Sequence, residues 1–393
     1  MEFNFYFLIM CSCVHLSFSL NSAVLEFSDS TSKFTVDLYK QIIKTESDNI
    51  IFSPISLQLC LALTLEGAKS STESELSKAL KLPRKATTQA AIRNLELDVS
   101  TEKLTLRSSN KLYIANGYNI LPDFLDIARY IYQSDIENIN FSNSSVAANI
   151  INQWVSKRTN GTIQNLISPK QLDALTKFVL INALYFKGQW IIPFKKRLTR
   201  MDNFFAENNP TKDILMMNSD DYYLFLDSKE LKAKFLELKY ENGDISMTFV
   251  LPHERNGLKT IEDNIGEYLK PQSLTTERVA VTIPTFKTSK LVDFKDILKK
   301  LEVKKLFETT ANLTGISRKP GLYVKYVIQK TFIEISEAGT TAAAATAVIG
   351  GVRALAVIPI SPPELVFKAD HPFLFYIKEN TSGLILFIGR FKG

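Results

Sequence analysis

The histidines, cysteines and carboxylates of this chain are not grouped as a catalytic site requires. Only His15, His253 and His371 occur among the 393 residues. A nucleophilic serine needs a base beside it, and the sequence contains no Gly-x-Ser-x-Gly nucleophile elbow. The motifs His-Glu-x-x-His and Cys-x-x-Cys and a glycine-rich phosphate loop are absent as well. The sequence therefore predicts that the protein is not an enzyme and that it uses neither a metal ion nor a cofactor.

A run of small residues near the C-terminus indicates a different kind of chemistry. Residues 338–346 contain only alanine, glycine and threonine, and they follow the strand-like residues 327–335. Because side chains alternate across a strand, every second residue of the run would lie on one face. These residues are Thr340, Ala342, Ala344 and Thr346. Such small side chains would let the segment join an existing sheet, whereas the alternative is an alanine-rich flexible linker.

This run resembles the reactive-loop hinge of the serpins, which are protease inhibitors that insert a cleaved loop into a sheet. Three other segments carry the same resemblance: residues 49–56 (NIIFSPIS), 179–190 (VLINALYFKGQW) and 367–377 (FKADHPFLFYI). The resemblance covers residues 30–393 in order and at the family's spacing, which argues against the linker. It implies an α+β serpin fold with three β-sheets, eight or nine helices and an exposed reactive loop at about residues 338–358. It also implies a single domain over residues 20–393.

Local sequence patterns favour the same α+β class. Phe34, Leu38 and Ile42 recur at helical spacing. Ser53 and Pro54 are predicted to begin a helix, since serine caps helices and proline fits the first turn. Residues 178–186 are almost continuously apolar, as in a strand covered on both faces. The mixture is typical of helices packed on mainly antiparallel sheets.

The resemblance also implies which bond a target protease would attack. In serpins the scissile bond lies fourteen residues beyond the hinge glycine. Counting from Gly339 places Arg353 before the cut and Ala354 after it. Trypsin-like proteases carry an acidic group in the primary pocket, and an arginine makes charge-assisted hydrogen bonds with such a group. The resemblance therefore implies a trypsin-like target, whereas a cut after Val352 would indicate an elastase-like one.

The residues before Arg353 suggest where to look for the target. Gly350, Gly351 and Val352 are predicted subsite contacts. With Arg353 they are similar to the sequence before the thrombin cleavage point in the fibrinogen alpha chain. The target is therefore expected to be a thrombin-like clotting protease or a protease of an immune cascade.

The serpin mechanism implied for this chain is suicide inhibition, in which the acyl-enzyme is trapped as the loop inserts into the central sheet. The hinge would comprise Glu337, Gly339, Thr340, Ala342, Ala343, Ala344, Ala345 and Thr346. The alternative is a non-inhibitory serpin that acts as a carrier, storage protein or chaperone. Such members usually have bulky, charged or proline-bearing hinges, and the four consecutive alanines argue against that alternative.

Five residues match the serpin positions that control opening of the central sheet. Ser53, Ser56 and Asn182 match the polar cluster beneath the sheet. Gln329 occupies a position where many relatives have histidine, and glutamine can both donate and accept a hydrogen bond. Trp190 matches the tryptophan at the top of the sheet, where insertion begins.

The N-terminal residues predict secretion. Residues 3–20 are apolar, and the small residues at Ser17 and Ser19 suit a cleavage site, so residues 1–19 are interpreted as a signal peptide. Cys60 would then remain as a buried thiol. The sequence predicts an extracellular, monomeric glycoprotein with candidate glycan sites at Asn140, Asn143, Asn160, Asn312 and Asn380.

The formal net charge of +6 gives a weak signal for a polyanionic partner. Five basic residues lie where some serpins bind glycosaminoglycans: Lys78, Lys81, Arg84, Lys85 and Arg93. An ordinary solvated face is the alternative. No motif supports binding to nucleic acid, and the N-terminal apolar run is short for a membrane span.

Overall fold

The computed structural model describes residues 2–206, 211–340 and 365–393, and for residues 2–21 it describes the backbone alone. The helices are α1 (Glu2–Ile42), α2 (Pro54–Gly67), α3 (Ser70–Leu80), α4 (Lys85–Arg93), α5 (Pro122–Tyr130), α6 (Ser144–Arg158), α7 (Leu258–Asp263), α8 (Ile265–Leu269) and α9 (Lys295–Lys300). The first eight strands are β1 (Ile50–Phe52), β2 (Asp98–Ser100), β3 (Leu104–Ala115), β4 (Asp135–Ile139), β5 (Phe178–Gln189), β6 (Arg200–Phe204), β7 (Lys212–Ser228) and β8 (Ala233–Lys239). The others are β9 (Ile245–Pro252), β10 (Thr275–Pro284), β11 (Phe286–Asp293), β12 (Val324–Ser336), β13 (Gly339–Thr340), β14 (Leu365–Lys368), β15 (Phe373–Glu379) and β16 (Ile385–Phe391).

The strands form two hydrogen-bonded sheets. The seven-stranded sheet has the order β11-β12-β13-β5-β3-β2, with β4 beside β3. The nine-stranded sheet has the order β1-β16-β15-β9-β8-β7-β10-β14, with β6 beside β7. Two of the three predicted sheets are joined here, because the long strand β7 pairs with β6 and β10 along one part and with β8 at its end. The predicted α+β class is confirmed.

Helix α2 lies in the core and contacts strands of both sheets, β16 and β5 among them. Its beginning agrees with the sequence prediction: Pro54 is the first helical residue, and the Ser53 side chain accepts a hydrogen bond from the Ser56 amide at 3.3 Å. Nearly every residue of the helix is buried, which explains its lack of a polar face. Cys60 is buried in this helix, as predicted, and burial raises its pKa to about 12.

Helix α1 crosses the predicted signal cleavage site. It continues without a break from Glu2 to Ile42, so Ser19 lies inside it. From Ala23 onward it contributes buried side chains to the core, including Phe27 and Phe34. Among the residues that the structure describes, no helix has the length and apolar character that would let it span a bilayer.

Candidate functional site

The candidate site is a gap between two neighbouring strands of the seven-stranded sheet. Strands β5 and β12 pair in parallel from Phe178 opposite Val324 to Leu184 opposite Thr331. Beyond that point the short strand β13 lies between them and pairs with both. Thr340 of β13 lies opposite Ile335 on one side and Gly188 on the other. The sheet is thus closed along its lower part and holds Gly339 and Thr340, two of the residues predicted for the hinge, at its upper end.

Thr340 lies in a closed site in this gap, lined by Tyr240 and called here the Thr340 seat. Its side chain is fully buried, and its hydroxyl is 2.8 Å from the hydroxyl of Tyr240. Tyr240 stacks on Trp190 with ring centroids 4.4 Å apart. Burial raises the pKa of Tyr240, so the phenol stays protonated and available as a hydrogen-bond donor. The seat therefore accepts a small hydroxyl-bearing side chain and excludes a charged one.

Gly339 is required by the close approach of β13 to β5. Its φ is +140°, and a Cβ atom here would collide with the carbonyl oxygen of Gly188. Gly188 in turn lies against the ring of Tyr240, where a Cβ would be 2.6 Å from a ring carbon. At both positions glycine allows a close contact that the Cβ atom of any other residue would block.

Trp190 fixes the turn that leads from β12 into β13. Its amide donates to the carbonyl of Ala338 at 3.0 Å, and its indole N–H donates to the carbonyl of Ser336 at 3.1 Å. The amide of Phe194 donates to the carbonyl of Glu337 at 2.8 Å. The half-buried Glu337 is thus held through its backbone carbonyl. These contacts hold Trp190 against the residues that join β12 to β13.

A buried polar network closes the gap below. Gln329 on β12 accepts a hydrogen bond from the Ser53 amide at 2.8 Å and donates to the Ser53 carbonyl at 2.9 Å. It also donates to the side-chain oxygen of Asn182 on β5. The Asn182 amide nitrogen donates to the side chains of Ser56 and Asn110. The structure therefore brings Ser53, Ser56, Asn182 and Gln329 together in one hydrogen-bonded cluster.

The sequence analysis did not predict three members of the site. Asn110 lies opposite Asn182 on β3, and Ser108 lies 3.2 Å from the Ser56 hydroxyl. Tyr240 belongs to the turn between β8 and β9. Ser108, Ser109 and Asn110 are three consecutive uncharged polar residues in the middle of β3, and this run was the available signal for two of the three.

Most of the predicted loop lies outside the described residues. This applies to Ala342, Ala343, Ala344, Ala345, Thr346, Gly350, Gly351, Val352, Arg353 and Ala354. The predicted basic surface is within the described part of the chain, and its five residues are exposed. Lys81 pairs with Asp37 and Lys85 pairs with Glu66, which lowers the net positive charge of that surface.

Comparisons with known proteins agree with this geometry. The family model described as Serpin (serine protease inhibitor) matches residues 29–392. Human Serpin B3 is 34% identical over 389 residues, covering 93% of this chain and 98% of its own length. The leukocyte elastase inhibitor of Sus scrofa is 34% identical with the same coverage. The crystal structure of Serpin48 from the insect Tenebrio molitor superposes with a TM-score of 0.85 at 37% identity, covering 94% of this chain and 98% of Serpin48.

These relatives overturn the predictions about compartment. Serpin B3 and the leukocyte elastase inhibitors are clade B serpins, which are intracellular proteins. The predictions that the chain is secreted, that residues 1–19 are a signal peptide and that it is a glycoprotein are therefore wrong. In the structure the Asn380 side-chain nitrogen donates to the Gly243 carbonyl at 2.9 Å.

The arrangement of β5, β12 and β13 and the matched family model lead to one conclusion. The chain belongs to the serpin family of serine protease inhibitors.

Proposed function

We propose that this chain is a suicide inhibitor of trypsin-like serine proteases and that the protease cleaves it between Arg353 and Ala354. The observation that carries the proposal is the position of β13 between β5 and β12. Two residues of the hinge are already paired there as a new strand. Residues 341–352 follow them directly in the sequence and contain no proline and no charge.

The register of β13 supports insertion of the whole hinge. Thr340 pairs antiparallel with Ile335 on β12. Continuing that register sets Gly351 opposite Val324, the first residue of β12. The insertion would therefore use the full length of β12 and end two residues before Arg353. At about 3.3 Å per residue, a protease attached to Arg353 would travel on the order of 40 Å.

The proposed reaction has two stages, acylation of the protease and then insertion of the loop. The protease serine attacks the carbonyl carbon of Arg353, the bond to the Ala354 nitrogen breaks, and the new amine takes the proton that the protease histidine received from the serine. An acyl-enzyme remains, with Arg353 bound as an ester. Insertion removes the ester from the geometry that the protease needs for deacylation, so one inhibitor is consumed for each protease.

The alternation of small side chains fits the seat described for Thr340. Residues two apart in a strand point to the same face, so Ala342, Ala344 and Thr346 would follow Thr340 toward the buried side of the sheet. Each is small enough to replace part of the contact between β5 and β12. This pattern supports inhibition rather than a carrier, storage or chaperone role.

The first experiment mixes the purified protein with trypsin, with thrombin and with leukocyte elastase, followed by denaturing electrophoresis. We expect a stable band near the summed mass with a trypsin-like enzyme, and mass spectrometry should find a released peptide that begins at Ala354. A peptide that begins at Arg353 would mean cleavage after Val352. That result would move the target to elastase-like enzymes, the class suggested by the names of the leukocyte elastase inhibitors.

The insertion step is tested by Thr340→Arg, with Thr340→Ser as the matched control. The fully buried seat cannot hold an unpaired guanidinium, which would cost several kcal/mol. We expect trypsin to digest the arginine variant without forming a stable complex, while the serine variant inhibits normally. Full inhibition by Thr340→Arg would refute insertion through this gap.

A further inference from the structure

An exposed basic segment follows the upper end of β5. Residues 195–200, called here the basic connector, include four basic side chains: Lys195, Lys196, Arg197 and Arg200. All four are exposed, and residues 196–198 form a single 3-10 turn that directs successive side chains outward. Within the described part of the chain, none of the four forms an ion pair with an acidic side chain. Two of the other basic surface residues, Lys81 and Lys85, are by contrast each paired with a carboxylate.

The basic connector lies between the two ends of the reactive loop. At one end, the residue before it, Phe194, donates its amide to the Glu337 carbonyl at 2.8 Å. At the other end, Asp202 forms an ion pair with Lys368 at 2.9 Å. Lys368 belongs to β14, the strand to which the chain returns after the loop. A protein held by the loop is therefore anchored on both sides of this segment.

The surface around the basic connector also carries exposed apolar side chains. Met201 and Leu215 lie directly opposite each other on β6 and β7, and they are 58% and 42% exposed. Leu198, inside the connector, is 41% exposed. Exposed apolar side chains bordered by positive charge are typical of protein-binding surfaces. An ordinary solvated basic face would not need this apolar component.

We propose that the basic connector, together with Met201 and Leu215, is a second contact surface for the target protease, and that it binds an acidic patch on that enzyme. The inference rests on the proposed function, because the loop must hold the protease for the second contact to form. Charges at the edge of such a contact act mainly on the association rate and its salt dependence. The contact would therefore favour acidic proteases over basic ones with the same primary specificity.

The test uses the full-length protein and the anionic and cationic forms of trypsin, which share specificity for arginine. The double variant Lys196→Gln/Arg197→Gln removes two charges from the basic connector. The matched control is Lys299→Gln/Lys300→Gln in α9, since α9 packs beside β12 near Ile328 and Val327, at the opposite end from the loop. The measured quantities are the second-order rate constant of inhibition and the number of inhibitor molecules consumed per protease, at low and high salt.

We expect the connector variant to inhibit anionic trypsin about tenfold more slowly at low salt, with unchanged stoichiometry. The loss should shrink at about 0.5 M salt and should be smaller with cationic trypsin, and the α9 variant should behave as wild type. Equal rate constants for the two variants would overturn the second contact while leaving the proposed function intact. A defect seen only in the presence of heparin would also overturn it, because the segment would then bind a polyanion. Absence of a covalent complex between wild type and either trypsin would refute both proposals.

Discussion

The hydrogen bond between Tyr240 and Thr340 gives a direct measure of how firmly β13 is held. Both side chains are fully buried, and their hydroxyls are 2.8 Å apart. Tyr240→Phe leaves the Thr340 hydroxyl without this partner, and Thr340→Val leaves Tyr240 with only the distant Met247 sulfur at 3.8 Å. An unpaired buried hydroxyl costs about 1–3 kcal/mol. The double variant leaves neither hydroxyl behind, so its cost should be below the sum of the two single costs by about 1–2 kcal/mol.

The assay is unfolding in urea followed by tryptophan fluorescence, which is informative because Trp190 stacks on Tyr240. The four proteins of the cycle are compared at their first unfolding transition, since a protein of this size need not unfold in two states. Inhibition stoichiometry is measured in parallel and should worsen in both single variants, because a loosened β13 delays insertion. If the cost of the double variant equals the sum of the two single costs to within about 0.5 kcal/mol, the hydroxyl pair does not hold β13 and the reasoning is refuted.

Three other predictions concern the same gap and the core below it. Gly339→Ala should force β13 out of the sheet, because its Cβ would collide with the Gly188 carbonyl, and a red shift of Trp190 fluorescence would report the lost contact. Gln329→Leu should lower the free energy of unfolding by about 3 kcal/mol, since it strands the buried polar groups of Ser53, and an unchanged urea midpoint would contradict this. Cys60, with a pKa near 12, should resist iodoacetamide at pH 8.5 in the folded protein and react in urea, as peptide mass mapping would show.

The sequence predicted the fold well because the elements that build it have strong local signals. The apolar run at residues 178–186 became the buried strand β5, and the Ser53-Pro54 pair began helix α2. The sequence predicted three sheets, but two of them form one continuous nine-stranded sheet in the structure. Local sequence patterns could not predict this connection. Strand β7 has 17 residues with mixed burial, and no local pattern states that one strand will pair with different partners along its length.

The site was only partly predictable for a different physical reason. Ser53, Asn182 and Gln329 could be placed through the family resemblance, and they do meet. Tyr240 could not, because its role comes from contacts with residues 50 and 100 positions away in the chain, Trp190 and Thr340. The compartment was predicted wrongly because an apolar N-terminal run has the same composition in a signal peptide and in a helix that continues to Ile42.

The polar network explains how the gap can be closed firmly and still open. The bonds of Gln329 to Ser53 lie on the β12 side, whereas the bonds of Asn182 to Ser56 and Asn110 lie on the β5 side. Among the described residues, the bond between Gln329 and Asn182 joins side chains of β12 and β5 directly. The start of α2 joins them indirectly, since the Ser56 amide donates to the Ser53 side chain. In the proposed insertion, loss of the bond between Gln329 and Asn182 would cost about 1 kcal/mol. In the proposed mechanism an inserted strand would supply backbone donors and acceptors to both β5 and β12. Two hydrogen-bonded ladders would then replace the single ladder between β5 and β12, which would favour insertion once the loop has been cut.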